Sequence, residues 1–250
     1  MDSNTIENIK SKYAVFTSMN KAYYDRCGHA LLSTYKSHWR NLIPLYVYNE
    51  DNFQIKSKNV ASVKWNLGEN YLKFQKRHTN DKVKTFAKKG FSVIHAMKNL
   101  DYDRIIWLDA DTIIKAPIPN LLLDLIAADD ILSTHFSVWH NQDNIEYHSC
   151  ETGFFILNTK HSGYKEFCQT YEDIYINDKT DGLRRFYDGE VYGKTVELME
   201  EKGYKMMNLN PGRHKTPISR SLINPYITHF KAGLKDTVDF TKYDTEEHED

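Results

Sequence analysis

Two carboxylates separated by one small residue, Asp109-Ala110-Asp111, close an apolar run of Ile105, Ile106, Trp107 and Leu108. Carboxylate oxygens are hard ligands that suit Mg²⁺ or Mn²⁺. Side chains alternate along extended chain, so Asp109 and Asp111 are expected to point the same way, with Ala110 taking little room between them. Two carboxylates can hold a divalent ion and leave positions open for phosphate oxygens. The ion then offsets the negative charge that a departing phosphate accumulates. A histidine often supplies a further ligand, and a lysine or arginine adds a second positive charge at the phosphates. The late segment Thr228-His229-Phe230-Lys231-Ala232-Gly233-Leu234-Lys235 holds such a pair, His229 and Lys235.

These residues need elements to position them. The dense run Ile105 to Leu108 suits a strand buried on both faces. In an open α/β sheet the carboxyl ends of strands face the ligand crevice. Strands are predicted at Tyr13 to Thr17, Ile43 to Tyr48, Val60 to Trp65, Ile131 to Phe136, Phe154 to Asn158, Tyr204 to Leu209 and Tyr226 to Phe230. Apolar residues at helical spacing predict helices from Asp25 to Trp39, Lys82 to Leu100, Leu121 to Ala127, and across Tyr164 to Tyr175. Asp188 can cap a further helix that reaches Lys202, with Gly203 as its stop. The stretch from Gly68 to Asp81 is polar and aperiodic, a loop or broken helix, and His140 to Ser149 is a polar stretch. Strand, helix, strand with short links is the βαβ signature of a parallel sheet.

The 250 residues are 40% hydrophobic, enough for the core of one large α/β domain. Thirty-three basic against 34 acidic residues argue against a general nucleic-acid binder. Three cysteines with no Cys-x-x-Cys spacing argue against a disulfide framework or a zinc site and fit reduced thiols in the cytoplasm. No segment has the form of a signal peptide or a membrane anchor. Thr241 to Asp250 is acidic without apolar pattern, so the domain is expected to span 1–240 with a frayed tail over 241–250.

Apolar strand, Asp-x-Asp and the turn Ala116-Pro117-Ile118-Pro119 together resemble a nucleotide-sugar glycosyltransferase of the GT-A fold. His229 and Lys235 resemble the late His-x-x-Gly-x-x-Lys motif of glycosyltransferase family 8, the group of glycogenin and bacterial galactosyltransferases. Here the glycine, Gly233, stands one position late, and Asp236-Thr237 follows the lysine. The resemblance runs in scattered blocks from about Tyr13 to Lys235. It implies a Rossmann-like, mostly parallel central sheet flanked by helices in a single domain. It also implies transfer of a hexose, with retention, from a nucleotide-diphospho sugar such as UDP-hexose to a glycan, lipid or protein acceptor. The ion would be Mn²⁺ or Mg²⁺, held by Asp109, Asp111 and His229, with Lys235 on the diphosphate and Ala110 and Gly233 beside the donor. Phe86-Ala87-Lys88 lies where the family places a basic donor-binding residue, which points to Lys88 first and Lys84 second. Glu151-Thr152-Gly153 leads into a strand like the one that lines the family's sugar site, and Asp188 sits where the family has an acidic residue near the reacting sugar. Glu151 and Asp188 are therefore the expected catalytic carboxylates. Thr17, just past the first expected strand, is an expected nucleotide contact because the donor should lie over strand ends.

Two rival readings use the same residues. A haloacid dehalogenase-like phosphatase also follows a strand with Asp-x-Asp, which would make Asp109 a nucleophile and Asp129-Asp130 its later acidic pair. Against it, Ile113 holds the place where those enzymes carry Thr or Val. A binding module without turnover is the non-enzymatic rival, and here a residue is present for every metal and phosphate role.

Overall fold

The computed structural model describes residues 12–40, 42–55, 60–142, 145–179, 183–212 and 214–244. Seven strands form one sheet: β1 (Tyr13–Met19), β2 (Leu45–Asn49), β3 (Val60–Lys64), β4 (Arg104–Leu108), β6 (Ser133–His135), β9 (Phe154–Asn158) and β10 (Met206–Asn208). Their order is β10-β6-β9-β4-β1-β2-β3. All neighbours are parallel except at β9, which runs antiparallel to both β4 and β6. Two ribbons stand beside the sheet. One pairs β5 (Thr112–Ile114) with β11 (Ile227–His229), and the other pairs β7 (Ser137–Gln142) with β8 (Ile145–Cys150).

The helices are α1 (His29–His38), α2 (Gly68–Arg77), α3 (Asp81–Asn99), α4 (Asn120–Ile126), α5 (Tyr164–Ile176) and α6 (Asp188–Glu201). Period-two alternation on β4 divides the core. Ile106 and Leu108 face one side, where Leu31, Tyr35 and Trp39 pack. Ile105 and Trp107 face the other, where Phe91 of α3, Tyr171 of α5 and Tyr192 of α6 pack. Burial on both faces explains why β4 reads as an unbroken apolar run. Its first residue, Arg104, is buried yet satisfied: the guanidinium donates to the Ala127 carbonyl, Asn158 Oδ1 and Asp129 Oδ1.

Three expectations shift. The segment after Gly68 is a continuous helix; only Phe74 is buried on it and Leu72 is exposed, so little apolar pattern betrays it. The polar stretch from His140 to Ser149, apart from 143–144, which lie outside the described residues, is the paired strands β7 and β8, in which His140 Nε2 and Ser149 Oγ bond at 2.8 Å. The chain beyond 240 does not fray at once: Phe240–Tyr243 forms a 3₁₀ turn with Phe240 buried against Cys27 and Ala30. Residues 245–250 lie outside those described. Among the described residues, no helix is long and apolar enough to cross a membrane.

Candidate metal and phosphate site

Strand β4 stops at Leu108, and Asp109-Ala110-Asp111 is a turn rather than extended chain: Thr112 N–H donates to the Asp109 carbonyl at 3.1 Å. The two carboxylates therefore converge through this turn and not by strand alternation. Ala110 is buried in the core beneath them and does not line the cleft. The β11–β5 ribbon supplies the third group. Its register sets His229 opposite Thr112, and Phe230 N–H donates to the Asp111 carbonyl at 3.0 Å. His229 Nε2 then lies 3.1 Å from Asp111 Oδ1 and 3.5 Å from Asp109 Oδ2.

One ligand atom from each of Asp109, Asp111 and His229 lies within 4.8 Å of the others. Asp111 Oδ1 is buried, and the His229 imidazole that faces it at 3.1 Å is not aligned for a good hydrogen bond. A buried carboxylate oxygen met only by an ion-pair contact has capacity left for another ligand, and a divalent cation between the three groups would use it. Two hard oxygens and an imidazole suit Mn²⁺ or Mg²⁺. Burial pushes the His229 imidazole down, but hydrogen bonds and charge from Asp109 and Asp111 outweigh it and lift the group to about 10. Burial likewise opposes ionisation of both aspartates. Lys89 foremost for Asp109, and His229 foremost for Asp111, still hold them below the usual carboxylate range.

Lys235 follows on a 3₁₀ turn (Ala232–Asp236) and places Nζ 2.8 Å from Asp111 Oδ2 and 2.6 Å from the Tyr23 hydroxyl. Tyr23 in turn donates to Asp111 Oδ2 at 2.8 Å. Sequence reasoning missed Tyr23. It sits in the short helical turn after β1, where Asn20 Oδ1 accepts from Tyr23 N–H at 2.7 Å, and that Asn cap is a readable signal.

The basic residue that reaches the aspartates from α3 is Lys89, not Lys88 or Lys84. Lys89 Nζ donates to Asp109 Oδ1 and to the Thr152 carbonyl, both at 2.6 Å, and pairs with Asp188 Oδ2 at 2.9 Å. Burial works against its charge, but Asp109 and Asp188 raise its pKa above the ordinary lysine value. Trp107 Nε1 also donates to Asp109 Oδ1, at 2.7 Å. Lys88 projects from another side of α3 and pairs with Glu50 at 2.8 Å, and Lys84 does not line the cleft. One helical step turns a side chain by about 100°, which separates neighbours that look interchangeable in sequence. The missed signal was Lys89 at helical spacing between Phe86 and Val93, a charge within a largely buried row.

A cleft of about 510 Å³ opens over these groups, bordered by Asp109, Asp111, His229, Asp188, Glu151 and Lys235. Asp188 stands at the start of α6 and accepts from Thr152 Oγ1 at 2.5 Å. Glu151 is buried beside His229, with Oε1 3.6 Å from Nδ1. Thr17 lies inside β1 rather than beyond it and is fully buried, so it offers no surface to a ligand. Gly233 lies outside the cleft lining, and a side chain there would meet open space, so no packing demand fixes a glycine. The acidic pair of the phosphatase reading does not approach Asp109. Asp129 pairs with Arg104 at the opposite end of β4, roughly 15 Å away at strand rise.

No protein-family model matches the sequence, and no curated protein matches it. Solved structures do. WbbM, a bifunctional glycosyltransferase, superposes with TM-score 0.58 and 12% identity over 94% of this chain and 50% of that one. The galactosyltransferase LgtC, solved with donor and acceptor sugar analogs, gives 0.54 and 13% over 92% of this chain and 94% of that one. Mouse xyloside xylosyltransferase 1 gives 0.50 and 12% over 79% and 85%. The chain thus spans half the length of WbbM and nearly all of LgtC. The mostly parallel seven-stranded sheet flanked by helices is the GT-A fold.

Proposed function

We propose that this chain is a metal-dependent glycosyltransferase that moves a hexose from a nucleotide-diphospho sugar, UDP-hexose, to a glycan, lipid or protein acceptor. The observation that carries the reading is the convergence of Asp109, Asp111 and His229 in the cleft, with one ligand atom of each within 4.8 Å of the others. Asp109, Asp111 and His229 would hold Mn²⁺ or Mg²⁺, and when bound that ion supplies Lewis-acid stabilisation of charge on the diphosphate. Lys235 lies 2.8 Å from Asp111, which supports a role for its ammonium on the phosphate oxygens. Asp188 is oriented by Thr152 and Lys89 and borders the cleft, which suits it to face the sugar. Retention at the anomeric carbon is what the resemblance to family 8 implies.

The outer wall suits an uncharged acceptor. Phe86 and Tyr187 pair with ring centroids 4.5 Å apart, Arg185 is paired with Glu190, and Lys231 with Glu151. Aromatic faces beside neutralised charges fit the apolar face of a sugar better than an anion. A cytoplasmic site of action belongs to the same reading, supported by three free thiols, Cys27, Cys150 and Cys168.

The test is release of UDP from UDP-hexoses with and without Mn²⁺, with the anomeric configuration of any product read by NMR. Release that needs the ion supports the proposal, and equal release in excess chelator removes it. Binding without any release or transfer would leave a nucleotide-sugar-binding module.

A further inference from the structure

The tripeptide Glu151-Thr152-Gly153 joins β8 to β9 and touches both halves of the site. Asp109 N–H donates to the Gly153 carbonyl at 3.0 Å, which ties the tripeptide to the aspartate turn. Gly153 lies flat against the imidazole of His229: a Cβ there would stand 2.5 Å from Nδ1 and 2.6 Å from Cε1. The ring thus fills the space that any other side chain would need. Glu151 flanks the same ring. Its Oε1 is 3.6 Å from His229 Nδ1, an ion-pair separation rather than a hydrogen bond, and both side chains are 7% exposed. Its Oε2 is held by Lys231, which lies two residues beyond His229 on the same segment.

His229 turns Nε2, not Nδ1, toward Asp109 and Asp111. An imidazole that binds an ion through Nε2 keeps its proton on Nδ1, and the outer partner of that N–H fixes the ring's orientation. Glu151 is the carboxylate at that position. We infer that Glu151 is a positioning residue for His229, with Lys231 tethering its carboxylate and Gly153 providing the seat of the ring, and that it is not a group acting on the sugar. The inference rests on the metal-dependent reading above. It reassigns a residue that the sequence led us to expect as a catalytic carboxylate. The burial of Glu151 and the commitment of its second oxygen to Lys231 fit a structural anion rather than one that meets substrate.

The experiment is Mn²⁺ titration followed by electron paramagnetic resonance of the free ion, with no nucleotide sugar present. It compares wild type, Glu151→Gln, His229→Ala, the double variant and Lys231→Met. Glu151→Gln should weaken Mn²⁺ binding by about 10–100-fold, the range for loss of an outer partner of a metal-bound histidine. His229→Ala should weaken it at least as much, and the double variant should be no weaker than His229→Ala, because Glu151 acts through that ring. Lys231→Met should shift affinity in the same direction by less, and it provides the test should Glu151→Gln not fold. Wild-type Mn²⁺ affinity in folded Glu151→Gln, or losses that add in the double variant, would overturn the inference. A sugar-contacting Glu151 would show the first of these, with turnover reduced and ion binding intact. Wild-type protein that binds no Mn²⁺ would instead overturn the metal reading itself.

Discussion

At the scale of single residues, Lys89 separates the structure from the sequence most sharply. Its ammonium is nearly enclosed and serves Asp109 and Asp188 together. Removing one member of such a group strands the others without a counter-charge, at a cost of about 3–5 kcal/mol. Lys89→Met should therefore lower stability in urea unfolding by roughly that amount and abolish turnover, while Lys88→Ala, which breaks only a partly exposed pair with Glu50, should change stability by less than about 1 kcal/mol. The opposite ranking would mean that the Lys88–Glu50 pair, not the Lys89 group, holds the fold together here. The meeting of Asp109, Asp111, His229 and Lys235 was legible because hard ligands and a late basic pair are rare enough to notice. Lys89 and Tyr23 were not, because their roles come from what the fold brings opposite them.

His229 also sets a pH dependence. Its folded-state value is raised to about 10 from an ordinary 6.5. A raised basic group stabilises the folded chain fully below its unfolded value, and that contribution is lost as pH climbs through the folded value. The thermal midpoint of metal-free protein should thus fall between about pH 6.5 and 10, measured by scanning fluorimetry. His229→Gln should flatten that decline. A decline unchanged in that variant would assign it to other groups.

At the scale of elements, periodicity carried most of the assignments. Strand β9 (Phe154–Asn158) matches its predicted span, and α3 (Asp81–Asn99) and α6 (Asp188–Glu201) match within a residue or so, because each has a buried stripe or a clear stop. The antiparallel direction of β9 was not legible, since a buried strand reads the same both ways. The β7–β8 ribbon escaped because its sequence is polar from His140 to Ser149, and α2 because Phe74 alone is buried on it. Glycines show where elements press together. On α3, a Cβ at Gly90 would stand 2.2 Å from the Tyr175 ring of α5. Gly90→Ala should destabilise by about 1–3 kcal/mol through overpacking, despite alanine's better helix propensity. A stabilised Gly90→Ala in denaturant unfolding would show that α3 and α5 can part without cost.

At the scale of the whole molecule, an apolar strand ending in Asp-x-Asp within βαβ units was enough to anticipate the GT-A fold. The three groups that could hold an ion come from the turn after β4 and, more than a hundred residues later, from β11, and the β11–β5 ribbon brings them together. That architecture makes the central claim testable in one measurement: the rate of UDP release from a UDP-hexose by wild type and by Asp111→Asn, each with Mn²⁺ and with excess chelator. Asparagine keeps the shape of the buried side chain and removes the charge that Lys235 and the ion need. The account predicts Mn²⁺-dependent release by wild type, and release by folded Asp111→Asn no faster than wild type in chelator. Equal rates for the two proteins, or wild-type release that ignores chelator, would contradict it.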